Sequence, residues 1–306
     1  MNHRSAAALS LGILVALAAG ALLPLDFVTP PVVAACVGVA TLLTVGGLDA
    51  NWHRERASYQ VAGRLFAINL VAGSLPMALV GFMLGAHTPA GAGFLALAVV
   101  PVAAGIPAYA GALGVPAARL ALFALLSYVV ALVVTPILLG LVLGSASNWR
   151  QLAFTVVFGL ILPSIAGVLG RSVITRAPAR PRRAVVITAL LVAMSGLGGT
   201  LSPSSITSVE LGAPLVLVVA IALLRAPVGG LLGALANGRS SMATGVEAAM
   251  AGGYKNGALA GAAALSAGVP GAALPGALGL VSEAVLLAGV SLVWRHGDSW
   301  RGCHAA

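Results

Sequence analysis

Charge is what this chain most lacks. Only 8% of its 306 residues are Asp, Glu, Lys or Arg, about a third of what a soluble globular domain carries. A water-facing shell cannot be built from such a composition. Acidic residues number seven, and lysine occurs once, at Lys255. Cysteine is nearly absent. Cys36, in a hydrophobic run, and Cys303, in the tail, are too far apart to give a disulfide framework or a metal-binding spacing. Aromatic residues make up 5%, which leaves no stacking cage for a ligand. The five histidines, His3, His53, His87, His296 and His304, fall in tails and loops and read as solvated side chains, so no metal is expected. There is no intramembrane aspartate cluster, zinc motif, Ser–His pair or Gly-rich phosphate loop, so an enzyme is not expected and no cofactor is implied.

What is present is apolar. Hydrophobic residues make up 60% of the chain and the mean hydropathy is +1.07. Runs of about 20 mostly apolar residues recur from end to end. Helices satisfy their own backbone in lipid, whereas a membrane β-barrel needs alternating polar and apolar residues, and these runs are continuous. The opening Met1-Asn-His-Arg-Ser before an apolar run resembles a secretory signal, but further segments follow at once, and it reads as an uncleaved first helix. The segments run about Ala6 to Leu23, Pro31 to Leu48, Val61 to Leu84, Gly91 to Leu113 and Ala117 to Leu143. The second five run about Leu152 to Leu169, Ala184 to Leu201, Leu211 to Ala234, Met242 to Leu265 and Pro270 to Trp294. The expected fold is therefore an all-α membrane protein of about ten transmembrane helices.

The formal charge of +9 raises nucleic acid as a partner, but its placement argues against one. Arg171, Arg176, Arg180, Arg182 and Arg183 crowd one loop, Arg54 and Arg56 another, and Arg295 and Arg301 the tail. With ten helices these loops share a side with Arg119, Arg239 and both termini, and only Arg150 falls opposite. That is the positive-inside bias, and it predicts a multi-pass protein of the cytoplasmic (inner) membrane with both termini cytoplasmic. Four charges need separate readings. Asp26 and Glu210 fall in extracellular turns, and Glu247 reads as interfacial. Arg225, near the middle of the eighth segment, snorkels or sits where the helix breaks at Pro227 and Gly229-Gly230.

The two halves resemble each other weakly. Gly114-Val-Pro116 precedes one long helix and Gly268-Val-Pro270 another, with Ser127 and Ser282 at nearly the same offset beyond. Before each turn lies an interrupted apolar segment, at Pro101, Gly105 and Pro107 and at Gly252, Gly253 and Gly257. Five helices per half make the second copy inverted, with residues 1–145 as the first repeat and 146–306 as the second. Gly- or Pro-interrupted helices at matching places in inverted halves point to the binding site of a secondary transporter, because unwound backbone is tolerated in a membrane only where it meets a cavity or ligand. Lys255 falls at the second break, where a charge costs roughly 2.5–3.5 kcal/mol on insertion scales. If the ninth and tenth segments turn near Gly268, Lys255 and Glu283 both lie roughly 20 Å from that face at 1.5 Å per residue. They share a depth, and pairing would relieve two expensive charges. A structural ion pair between two helices and a transport role for Lys255 both remain open.

Gly253-Tyr-Lys-Asn-Gly-Ala-Leu-Ala260 and Ala273-Leu-Pro-Gly-Ala-Leu278 resemble the second crossover helix and the opening of the last helix in the bile acid:sodium symporter family. Thr135-Pro-Ile-Leu-Leu139 and Gly47-Leu-Asp49 are similar to further family stretches. The resemblance implies a core domain of residues 61–143 plus 211–294, rocking against a panel of residues 6–48 plus 152–201. It also implies a small organic anion as substrate, bound near Lys255, Asn256, Tyr254, Glu283, Ser127 and Ser282. The sequence departs from the family where sodium binds. The family's glutamate falls at Ala251, its glutamine at Lys255, and its Ser-Asn pair near Ile106-Pro107. Few side-chain oxygens remain, so sodium coupling is doubtful. The expectation is that the Lys255 ammonium takes the place of sodium, with uniport or with proton coupling through Lys255 and Glu283. A sodium/proton antiporter-like exchanger, a channel, and a non-transporting scaffold or sensor are the alternatives.

Overall fold

The computed structural model describes residues 3–23, 28–47, 56–113, 115, 117–143, 149–202, 215–237 and 242–303, and every regular element among them is helical. The first half holds α1 (His3–Leu22), α2 (Pro30–Gly46) and α3 (Arg56–Ile68), which runs through a π-helical turn (Asn69–Ser74) into α4 (Leu75–Met83). α5 (Pro89–Val99), α6 (Ile106–Leu113) and α7 (Ala117–Leu143) follow. The second half holds α8 (Trp149–Val156), a π turn (Val157–Ile161), α9 (Leu162–Leu169), α10 (Arg171–Ile174) and α11 (Ala179–Gly198), which ends in a 3₁₀ turn, Gly199–Leu201. It closes with α12 (Leu215–Ala236), α13 (Met242–Gly253), α14 (Gly257–Ser266) and α15 (Pro270–Cys303).

Six of the described helical stretches are long and apolar enough to cross a membrane, and Ala6–Leu22, Pro30–Gly46 and Pro89–Val99 are shorter apolar helices. Their outer faces carry exposed side chains such as Met83, Leu141 and Val216, which hydrocarbon solvates and water does not. The protein is an all-helical, multi-pass membrane protein.

Proline explains the two π turns. Each is followed two residues later by a proline, Pro76 and Pro163. A proline lacks the N–H that the carbonyl four residues back would use, and its ring presses on that carbonyl. Widening the turn relieves the clash, and π turns of this kind are frequent at functional sites. Pro227 is handled differently. α12 runs unbroken through it, which removes the alternative of a helix break at Pro227 and Gly229-Gly230, and a neighbouring side chain repairs the gap.

The fourth and ninth apolar segments are each two helices, α5–α6 and α13–α14. α2 packs on α9, α11 and α14, and α1 on α11 and α15. α12 lies between α13 and α15, and α5 packs against α4 and α15. Closeness at the second broken segment depends on glycine. A Cβ on Gly252 would run into the Gly229 carbonyl, and one on Gly229 into the Gly252 carbonyl. The turn between α14 and α15 falls at Gly268, where φ is +79°, a conformation that favours glycine.

Several boundaries differ from expectation. α15 extends through Cys303, so Cys303 and His296 lie in a helix rather than a tail, and His3 lies in α1. Pro136 lies inside α7, whose span matches the expected fifth segment. Asp26, Arg54, His53, Glu210, Arg239 and His304 lie outside the described residues.

Candidate functional site

The two breaks meet. The backbone N–H of Asn256 donates to the Pro101 carbonyl at 2.8 Å, joining the unwound stretch after α5 to the one between α13 and α14. The first break covers residues 100–105 and the second 254–256. Pro101 therefore lies within a break, and Gly105 closes it. Pro107 does not lie in a break but in the first turn of α6, where its missing N–H costs nothing. Gly252 and Gly253 still belong to α13, and Gly257 opens α14. The glycines serve close packing, while Tyr254, Lys255 and Asn256 carry the unwinding.

Each break frees backbone groups that must find partners, and the two breaks find different kinds. Around the first, hydroxyls do the work. Ser127 Oγ accepts from Val102 N–H at 3.1 Å, and Tyr128 donates to Val102 O at 3.2 Å. Thr135 donates to Val99 O at 2.7 Å, and Thr44 of α2 to Ala104 O at 2.8 Å. Around the second, charge and amide do it. Asn69 Nδ2 donates to Ala251 O at 2.6 Å and Tyr254 O at 3.3 Å. Arg225 donates to Gly253 O at 3.2 Å and Gly279 O at 2.9 Å. Glu283 Oε1 accepts from Lys255 N–H at 3.1 Å.

The Lys255 ammonium does not pair with Glu283. It donates to Ser74 Oγ at 2.8 Å and Ala98 O at 3.2 Å, so it bridges the π turn and the end of α5. Glu283 pairs instead with Arg225 at 2.5 Å, both side chains being buried. The Lys255 backbone touches that carboxylate, in keeping with the shared depth of the two residues, but Arg225 is the stronger competitor for it. Arg225 neither snorkels nor marks a helix break. A guanidinium presents five donors in a planar fork, and here that fork ties α12 to α13 and α15. Glu247, in the second turn of α13, is buried within the protein, 3.7 Å from the half-exposed Arg119.

Ser282 faces the backbone of α12. Its hydroxyl donates to Leu223 O at 2.6 Å and accepts from Ala226 N–H at 2.8 Å. Leu223 O is the carbonyl that Pro227 leaves without a helical partner. Tyr254 is buried, its hydroxyl donating to Glu283 O at 3.1 Å and its ring 5.5 Å from that of Tyr109. Asn256 Oδ1 caps α14 by accepting from Leu259 N–H at 3.0 Å. Its Nδ2 and Thr41 Oγ1 of α2 are both buried and grouped around the Tyr128 hydroxyl.

A cavity of about 300 Å³ opens beside Lys255 and Ser127, between the α3–α4 rod and α7. Lys255 and Ser127 are thus brought together, while Ser282 and Glu283 lie away from that cavity. The sequence reading missed Asn69, Ser74 and the partnership of Arg225. A lone asparagine in the middle of an apolar run was the signal for Asn69, and Pro76 two residues beyond Ser74 was the signal for the turn that carries both.

Two oxygens at the crossing, Ser74 Oγ and Ala98 O, both accept from the Lys255 ammonium. Fold and site together define a helical membrane protein whose two broken helices cross at a buried lysine. The chain matches no known family profile, and no curated protein matches it.

Proposed function

We propose that the protein is a secondary transporter of a small organic anion working by alternating access, similar to the bile acid:sodium symporters but without sodium. The observation that carries this reading is the crossing of two unwound segments at Lys255. Broken helices crossing at mid-span are the means by which such transporters expose backbone and side-chain groups to a substrate. The Gly-Val-Pro turns at 114–116 and 268–270 set a repeat offset of 154 residues, which pairs Pro101 with Lys255. In this reading the chain is a 5+5 inverted repeat of ten spans, with helices three to five and eight to ten as the moving core and both termini cytoplasmic in the inner membrane. Lys255 supplies the fixed positive charge that a coupling cation supplies elsewhere. In this reading the Asn256 amide and the Thr41 hydroxyl, grouped around the Tyr128 hydroxyl on the α2 side of the crossing, turn to hold a carboxylate or sulfonate when the core moves. Since Glu283 is committed to Arg225, uniport is favoured over proton coupling through a Lys255–Glu283 pair.

The test is uptake of labelled organic anions into proteoliposomes with and without sodium and a proton gradient, using wild type and Lys255→Gln. Saturable, sodium-independent uptake with counterflow, lost in the variant, is the expected outcome. Uptake that survives the substitution unchanged refutes the role given to Lys255, and uptake without counterflow favours a channel.

A further inference from the structure

The charges buried at the crossing do not sum to zero. Arg225 is 5% exposed, Lys255 2% and Glu283 2%, which makes two cations against one carboxylate and leaves one positive charge. Arg225 and Glu283 satisfy each other, so the excess resides on Lys255. An ammonium has three donors, and two are used, on Ser74 and Ala98. A buried cation with no counterion is costly, and the cavity of about 300 Å³ opens directly beside this one.

The direction of that opening is informative. Its walls come from the α3–α4 rod, the end of α5 and the middle of α7, with none from α1, α2, α9 or α11. The wall residues Leu70, Leu75 and Val134 are exposed on the outer surface, at 46%, 52% and 40%. Ser127, on the floor, is the eleventh residue of the 27-residue α7, so the mouth lies near mid-span on an apolar flank. The medium at such a mouth is hydrocarbon. A ligand arriving there is amphiphilic, and a cavity of this size holds one chain rather than two.

We propose that this flank groove is a binding site for a single-chain carboxylate drawn from the bilayer, its carboxyl group on Lys255 and its chain along Leu75, Val134 and Leu138. The groove is lined by neither Asn256 nor Thr41, the groups invoked for transport, and shares only Lys255 with that reading. A carboxyl on that ammonium forms a charge-assisted hydrogen bond and uses its remaining donor, and the chain covers apolar wall that lipid packs less well.

Tritiated dodecanoate binding to purified protein in nanodiscs of zwitterionic lipid tests this, with octanoate and acetate as competitors. The variants are Lys255→Gln, which removes the charge, and Ala78→Trp, which fills the half-exposed groove wall, each checked for a native melting transition. The proposal expects saturable binding, competition that strengthens with chain length, and about a tenfold loss of affinity in either folded variant, the equivalent of 1.4 kcal/mol. Should Lys255→Gln fail to fold, Ala78→Trp decides alone. Absence of saturable binding, acetate competing as well as octanoate, or full binding in folded variants overturns it. Saturable uptake of a polar anion without dodecanoate binding sinks this inference and leaves the transporter reading standing, and binding without any uptake does the reverse.

Discussion

The two breaks solve one problem with different chemistry. The first leaves six residues unwound and is held by Ser127, Tyr128, Thr135 and Thr44, all neutral hydroxyls. The second leaves only three and is held by Asn69, Arg225 and Glu283, with Lys255 reaching back to the first. A hydroxyl repairs one backbone group at a modest net gain, about 1 kcal/mol. A buried guanidinium repairs several at once, but only while its carboxylate partner is present. The longer break is therefore held by many small independent bonds, and the shorter one by a few strongly coupled ones. Damage at the first is expected to add up residue by residue, and damage at the second to be concentrated in single residues.

Arg225→Met gives the largest effect. It strands Glu283 and uncaps Gly253 O and Gly279 O, and removing one partner of a buried pair costs about 3–5 kcal/mol. Urea or thermal unfolding in detergent should show the protein barely folded. Arg225→Met combined with Glu283→Met should recover much of the loss, since a pair replaced by apolar groups is often neutral. A double variant as unstable as the single one would show that the carbonyl contacts, rather than the ion pair, dominate. Asn69→Leu comes next. It leaves Ala251 O and Tyr254 O without this donor, for about 1–3 kcal/mol each. Ser127→Ala, at the first break, leaves only Val102 N–H unpaired and should cost about half as much in the same assay. Equal losses at Asn69 and Ser127 would erase the contrast between the breaks.

Much of the architecture could be read from composition, because a chain this poor in charge and this rich in apolar runs has few ways to fold. Most segment ends were readable to within about five residues, the end of α15 at Cys303 and the splitting of the fourth and ninth segments excepted, and the turn between the last two falls at Gly268 as expected. The crossing of the two breaks could be anticipated only in outline. Gly252, Gly253 and Gly257 flag the neighbourhood, yet the unwound residues are Tyr254 to Asn256, because the glycines are used for contact with Gly229 and α15 instead. Partners were the least legible part. Depth along a helix follows from counting, which placed Lys255 level with Glu283. Azimuth depends on how three helices pack, and it gave Glu283 to Arg225. The π turn carrying Asn69 and Ser74 was hidden for a similar reason. A proline inside a membrane helix is answered by a kink, a π turn or a side-chain repair, and the choice lies in the neighbours.

Ser282 tests that last point on the smallest energy scale. If its hydroxyl exists to repair the gap at Pro227, Ser282→Ala should cost about 1–2 kcal/mol in a chain that keeps the proline. In a Pro227→Ala background residue 227 regains its N–H, Leu223 O recovers a helical partner, and the serine has less to do. The same Ser282→Ala change should then cost a few tenths of a kcal/mol. The difference is the coupling energy of a double-mutant cycle, here about 1 kcal/mol between residues on two neighbouring helices. Unfolding midpoints of the four proteins measure it directly. Strict additivity would mean that Ser282 earns its place through something other than the proline gap. Its offset from the Gly-Val-Pro turn, close to that of Ser127, would then regain the binding significance that its hydrogen bonds now take from it.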